Sequence, residues 1–123
     1  MKRGEIWWAD LGPYRFRERT GRRPVVIWQS NVLTEVLQSV LVVPLTTNLE
    51  RAHLAGTALV SGSQTELPED SVALAFQLRA IPKSALRAKI RELTEDEISE
   101  LELATDEAIG RVEPPVLFSE PVG

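Results

Sequence analysis

The segment ERTGRRPVVIWQSN (Glu18–Asn31) sets two arginines and a proline at the mouth of an apolar run. Val25, Val26 and Ile27 are β-branched, and proline is tolerated at the first residue of a strand, so PVVIWQ (24–29) reads as a strand. Upstream, EIWWAD (5–10) is a short aromatic strand between Gly4 and a second turn signal, LGP. The dozen or so residues between them form a long loop for a compact domain, and such loops often carry function. That loop holds Arg15, Arg17, Arg19, Arg22 and Arg23 within nine positions.

Downstream, Ser30 and Asn31 give a turn or cap signal, and 32–37 fits a helical turn. SVLVVPLTTN (39–48) is apolar without alternation, the pattern of a strand buried on both faces, and Pro44 within it predicts a bulge or an edge position. GTALVS (56–61) and SVALAFQLRAI (71–81) add two strands around the polar turn GSQTELPED. ALRAKIREL (85–93) alternates apolar with basic residues, marking a half-exposed strand. Helix structure is expected from Thr94, where TEDE forms a capping box with Glu97. Ile98, Leu101, Ala104, Ala108, Ile109 and Val112 then share one face. The expected fold is mainly β: a small, strongly bent barrel or sandwich over residues 1–112 with a terminal helix, followed by a proline-containing tail (113–123).

A chain of 123 residues is one domain that buries roughly two-thirds of its unfolded surface. Net charge is −4, yet residues 1–60 carry +3 and residues 61–123 carry −7, so a local basic patch exists in an acidic chain. Such a patch attracts a polyanion, because screening removes distant charges beyond about 10 Å. The absence of cysteine removes thiolate nucleophiles, thiolate metal sites and disulfides. With no apolar run of 18 residues and no signal-like start, a cytoplasmic protein without a membrane segment is expected.

The single histidine, His53, lies in a polar loop and reads as an exposed residue, so no two-imidazole acid–base pair can be assembled within one protomer. Metal ligands would have to be carboxylates; Glu92, Asp96, Glu100 and their neighbours instead read as a solvated helix face with first-turn negative charge. No phosphate loop or nucleophile elbow is present. What remains is Arg, Thr, Ser, Asn and Gln at strand ends, an inventory suited to binding a phosphate and stabilising extra charge on it. RNA brings its own nucleophile in the 2′-OH.

The blocks RGEIWWADLGP, GRRPVVIWQSN, VLVVPLTTN and DSVALAFQLRAIPKSAL, in this order and spacing, resemble the MazF/PemK toxins of bacterial toxin–antitoxin pairs, and LTEDEISELELA is similar to the family's terminal helix. The resemblance spans about residues 2–112 and implies an SH3-like barrel that homodimerises and cleaves single-stranded RNA without a metal or other cofactor. It also implies roles. Arg23 and Thr46 match the family's catalytic arginine and threonine, with Arg17, Glu18, Arg19, Thr47 and Gln77 as candidate RNA-binding residues. Cleavage by 2′-OH attack would leave a 2′,3′-cyclic phosphate or 3′-phosphate and a 5′-hydroxyl. A cognate antitoxin with an acidic and apolar tail is the implied partner.

Plainer readings stand beside these. Arg23 also fits a surface charge, Thr46 and Thr47 fit two β-formers at a strand end, and Gln77 fits a buried amide within a sheet. Arg22 reads as a solvent-facing charge. The loop RFRERTGRRP departs from the family's usual G-S-E-Q-x-G-x-R-P, with Arg17 and Arg19 replacing polar residues, which leaves base preference open. Phe76 stands where an acidic residue is common. Trp7 and Trp8 fall on opposite faces of one strand, so at least one is expected in the core; Trp28 is expected in the core or an interface. The rival class is a non-catalytic barrel that binds protein, as in gyrase-poisoning toxins; the C-terminal tryptophan on which those depend has no counterpart in SEPVG.

Overall fold

The computed structural model describes residues 1–11, 21–63 and 66–114. Its order is β1 (Glu5–Asp10), β2 (Arg22–Ile27), α1 (Asn31–Val36), β3 (Ser39–Thr46), β4 (Thr57–Val60), β5 (Ser71–Leu74), β6 (Arg79–Pro82), β7 (Leu86–Glu92) and α2 (Glu95–Ala108), with 3-10 turns at Leu49–His53, Ala75–Gln77 and Lys83–Ala85. All strand pairs are antiparallel. Six strands run β4-β5-β3-β2-β1-β7, and β6 lies beside the first half of β3. The sheet is strongly bent and barrel-like without closing.

The unbroken apolar runs of β2 and β3 are explained by two cores, one on each face. Ile6, Val26, Trp28, Val43 and Leu45 pack with Ala58, Val60, Leu101 and Ala104 beneath α2. Val25, Ile27, Val40 and Val42 point the other way and pack with Ala9, Ile81 and Leu86 in the curl of the sheet. A strand flanked on both sides has no polar face to show.

Pro44 marks a change of partner. On one flank of β3, Ser39–Val42 pair with β6 while Leu45 and Thr46 pair with β5. Trp28 N donates to Leu41 O at 2.9 Å, which makes Trp28–Leu41 a hydrogen-bonded pair and, by alternation, Val25–Pro44 a non-hydrogen-bonded one. The nitrogen of Pro44 therefore faces away from β2, into the gap between β6 and β5. The missing N–H is needed by neither partner, so the proline sits at a local edge within a central strand.

The stretch expected as one strand over 71–81 is two. A 3-10 turn at Ala75–Gln77 breaks it, and both halves pair with β3. Phe76 and Gln77 are exposed in that turn, so Gln77 is not the buried sheet amide that a continuous strand would allow. The capping box of α2 forms as expected, with Glu97 N donating to Thr94 Oγ1 at 3.2 Å and Thr94 N to Glu97 Oε1 at 2.9 Å. Leu101 and Ala104 are buried, but Ile109 and Val112 lie past the helix and are exposed. No helix among the described residues is long and apolar enough to cross a membrane.

Two polar clusters fasten the N-terminus and α2 to the sheet. Trp28 is buried, its Nε1 donates to Thr105 Oγ1 at 2.8 Å, and the Arg3 guanidinium lies 4.0 Å over its ring. Trp7 and Trp8 are both half-buried. Glu5 is buried at the start of β1, accepting from Trp7 Nε1 and Lys2 N at 2.9 Å each, with Lys89 Nζ at 3.2 Å. Burial pushes the Glu5 carboxyl up, but these donors together hold it below its ordinary value.

Candidate active site at the open end of the β2–β3 ladder

Arg23 is the second residue of β2 and Thr46 the last of β3. The ladder between these strands runs Ile27–Val42, Val26–Val43, Val25–Pro44 and then stops. Pro24 has no N–H to return to Leu45, which accounts for the end of the ladder. Were the register continued by two residues, Arg23 would stand across from Thr46, at a position of the non-hydrogen-bonded type. Both share the face that carries Val25, Ile27, Val40 and Val42.

Each of the two is held from its outer side. Arg23 pairs with Ala9 of β1, and Thr46 pairs with Val72 of β5. A ladder that opens between two strands still fixed on their far flanks makes a rigid notch. Arg23 and Thr46 are both half-buried.

The turn after β3 also acts on the threonine. Asn48 N donates to Thr46 Oγ1 at 3.2 Å, while Asn48 Oδ1 accepts from Glu50 N at 3.2 Å and caps the 3-10 turn Leu49–His53. Thr47 is exposed and lines a cleft with Leu49, Gly62, Ser63, Pro68, Glu69 and Asp70. A second cleft, sharing Gly62 and Ser63 with the first, is walled by Lys89, Arg91, Glu92, Asp96 and Glu97. Neither Arg23 nor Thr46 lines either cleft, and the charged groups of the larger one are largely occupied with one another. Arg91 and Glu97 form a two-pronged pair at 2.9 and 3.0 Å, and Arg91 also donates to Ser61 O and Glu92 O.

Of the residues singled out in the sequence, Arg23, Thr46 and Thr47 gather at this strand end. Gln77 sits in the turn between β5 and β6, beside the middle of β3. Arg17, Glu18 and Arg19 lie outside the described residues. Arg22 is exposed and in register with Asp10, whose carboxylate is 3.3 Å from Arg87 on the next strand. His53 is exposed at the end of its 3-10 turn. Sequence reading passed over Asn48, although an asparagine ahead of a polar turn is a capping signal.

Comparison with known proteins agrees with this architecture. Residues 2–109 match the family model described as PemK-like, MazF-like toxin of type II toxin–antitoxin system. An endoribonuclease MazF of Staphylococcus saprophyticus is 32% identical over 110 residues, covering 89% of this chain and 92% of the relative; one from Staphylococcus epidermidis is 31% identical over the same shares. Among solved structures, the Mycobacterium tuberculosis toxin MazF-mt6 superposes with a TM-score of 0.71 at 26% identity, covering 86% of this chain and 96% of its own. A mycobacterial endoribonuclease solved in complex with its cognate antitoxin has the same fold, with a TM-score of 0.73 at 23% identity, covering 93% of this chain and 99% of that one. The chain thus belongs to the PemK-like, MazF-like toxins of type II toxin–antitoxin systems.

Proposed function

We propose that this chain is a toxin endoribonuclease that cuts single-stranded RNA within the cytoplasm, with Arg23 and Thr46 acting on one scissile phosphate. The observation that supports the reading is the β2–β3 register, which, extended two residues past its last pair, would set Arg23 across from Thr46. In the reaction the RNA 2′-OH loses its proton to water and its oxygen bonds to phosphorus. The bond from phosphorus to the 5′ oxygen breaks, and that oxygen takes up a proton. The products are a 2′,3′-cyclic phosphate, open to hydrolysis to a 3′-phosphate, and a 5′-hydroxyl.

Arg23 offers a planar fork of donors to the phosphorane oxygens, where charge grows in the transition state. An arginine side chain keeps its proton in proteins, so the role given to Arg23 is to stabilise charge rather than to supply the departing oxygen with a proton. Thr46 donates its hydroxyl to a non-bridging oxygen. The attacking group comes with the substrate and the charge is met by these two side chains, so the scheme assigns no step to a metal. Thr47, Gln77 and the loop residues Arg17, Glu18 and Arg19 are proposed to hold the RNA on either side of the cut.

Two partners complete the reading. A cognate antitoxin is expected by membership of the family, its acidic tail competing with RNA for the notch. A homodimer is supported by Val32, Val36, Leu59 and Ile109, apolar residues each at least 59% exposed, and by the outer edges of β4 and β6, which pair with no strand among the described residues.

The test is incubation of the purified protein with a long single-stranded transcript in excess EDTA. Discrete cuts with 5′-hydroxyl and cyclic-phosphate ends, abolished by a 2′-deoxy substitution at the scissile nucleotide, support the proposal. Intact RNA supports a non-catalytic barrel instead.

A further inference from the structure

We infer that Asn48 is a positioning residue for the reaction: its backbone N–H fixes the hydroxyl of Thr46 so that the hydroxyl proton points toward the phosphate. The inference rests on the catalytic reading of Thr46 and adds a group to it. A threonine hydroxyl carries one donor and two acceptor sites, and its rotor is otherwise free to turn. Here Asn48 N, two residues on, occupies one acceptor site of Oγ1 at 3.2 Å. The proton must then lie in another direction, away from the turn. A hydroxyl that accepts one hydrogen bond is also polarised into a better donor for the next.

The turn is built to keep that N–H in place. Asn48 has φ −76° and ψ 92°, its Oδ1 accepts from Glu50 N at 3.2 Å, and its carbonyl accepts from Arg51 N at 3.1 Å. The side chain thus anchors the residue to the 3-10 turn while its amide reaches back to the strand end. Further along, Thr57 Oγ1 donates to Leu54 O at 2.7 Å, tying the end of the same turn to β4. Thr46 is itself pinned in β3 by Val72. This hydrogen bond therefore ties the turn back to the strand end, beside the notch.

The backbone angle permits a direct test. A φ of −76° lies within the range of proline, so Asn48→Pro removes the N–H at a residue whose own φ it can keep, and thermal melting reports any strain its ring puts on Thr47 or Thr46. Asn48→Ala keeps the N–H and loses the side-chain cap. Asn48→Ser keeps both kinds of bond, since serine caps as asparagine does. Cut sites are first mapped on a long single-stranded transcript. Single-turnover rates are then measured at saturating protein on a short oligonucleotide spanning the fastest cut. Affinity is measured with the same oligonucleotide carrying 2′-deoxyribose at the scissile position, and thermal melting confirms folding.

Asn48→Pro is expected to slow cleavage about five- to tenfold with affinity little changed, Asn48→Ala to fall between it and the parent, and Asn48→Ser to restore the rate. In a Thr46→Val background, where there is no hydroxyl to orient, Asn48→Pro is expected to have less than about a twofold effect. If Asn48→Pro slows Thr46→Val as much as it slows the parent, or if Asn48→Ser is as slow as Asn48→Pro, the inference is overturned and the role of Thr46 stands. If Thr46→Val alone cleaves like the parent, the catalytic reading beneath it fails. Should Asn48→Pro melt early, the same comparison is made with Asn48→Ala in both backgrounds: slowing of the parent alone supports the inference, and equal slowing overturns it.

Discussion

Val25 faces Pro44 across the last rung of the β2–β3 ladder, and Arg23 and Thr46 each stand two residues beyond that rung, one on each strand. Proline occurs on both strands at this point, Pro24 and Pro44, for different reasons. One ends the ladder; the other lets β3 exchange one neighbour for another.

If the Thr46 hydroxyl donates to a phosphate oxygen, Thr46→Val removes one hydrogen bond from the transition state without much change in volume. The expected cost is about 1–2 kcal/mol, or roughly five- to thirtyfold in single-turnover rate. Thr46→Ser is expected to retain most of the activity. Rates on a mapped oligonucleotide check both.

Arg91 and Glu97 are each only about one-tenth exposed, and their pair joins β7 to the first turn of α2. Replacing Glu97 by Gln keeps the shape and part of the capping but leaves the guanidinium without its counter-charge. The expected loss is about 1–3 kcal/mol in urea unfolding. Thr94→Ala, which removes only a cap hydroxyl, is expected to cost about 1 kcal/mol.

The same pair sets an acid limit. Burial pushes the Glu97 carboxyl up, but Arg91 and the N–H groups of Thr94 and Ser61 outweigh it and leave Glu97 below its ordinary value of 4.5. In the unfolded chain Glu97 takes up its proton near that ordinary value, while the folded chain resists until lower pH. Its contribution is therefore complete above about pH 5 and declines as pH falls through 4.5 toward the folded value. Stability measured from pH 6 to pH 3 should fall, and Glu97→Gln should flatten that slope; the parallel depression at Glu5 leaves a residual slope.

The arginine-rich loop is expected to contribute phosphate contacts. Neutralising Arg17 and Arg19 together as Gln should weaken binding of a 2′-deoxy-substituted oligonucleotide. The slope of log K against log salt should fall by about 1.4, the single-strand value for two phosphates. An unchanged slope would mean that these arginines do not meet the backbone.

Much of this molecule is written locally in the chain. The β-branched runs at Val25–Ile27 and Val40–Val43 mark strands buried on both sides, and TEDE marks the start of α2, because these depend on near neighbours alone. The break at Ala75–Gln77 is not written that way. SVALAFQLRAI has no glycine, proline or asparagine to mark a break, and β5 and β6 pair with two different parts of β3. Ile109 and Val112 continue the helical spacing, yet the helix ends at Ala108 and nothing among the described residues covers them. Arg91 reads as one basic residue among three on an alternating strand. Its pairing with Glu97 depends on where α2 docks, which no local pattern records. At the candidate site, Arg23 and Thr46 were legible by resemblance, whereas the bond from Asn48 became visible only once the strand end and the turn were placed together.

The central claim is that the Arg23 guanidinium stabilises the phosphorane at the cut. Its most direct test is the single-turnover rate of Arg23→Ala in EDTA on a mapped oligonucleotide, alongside its affinity for the 2′-deoxy analogue. Losing one well-placed donor to developing charge costs on the order of 3 kcal/mol, so the rate should fall about 100-fold or more while affinity changes by much less. A folded Arg23→Ala protein that cleaves as fast as the parent contradicts the account.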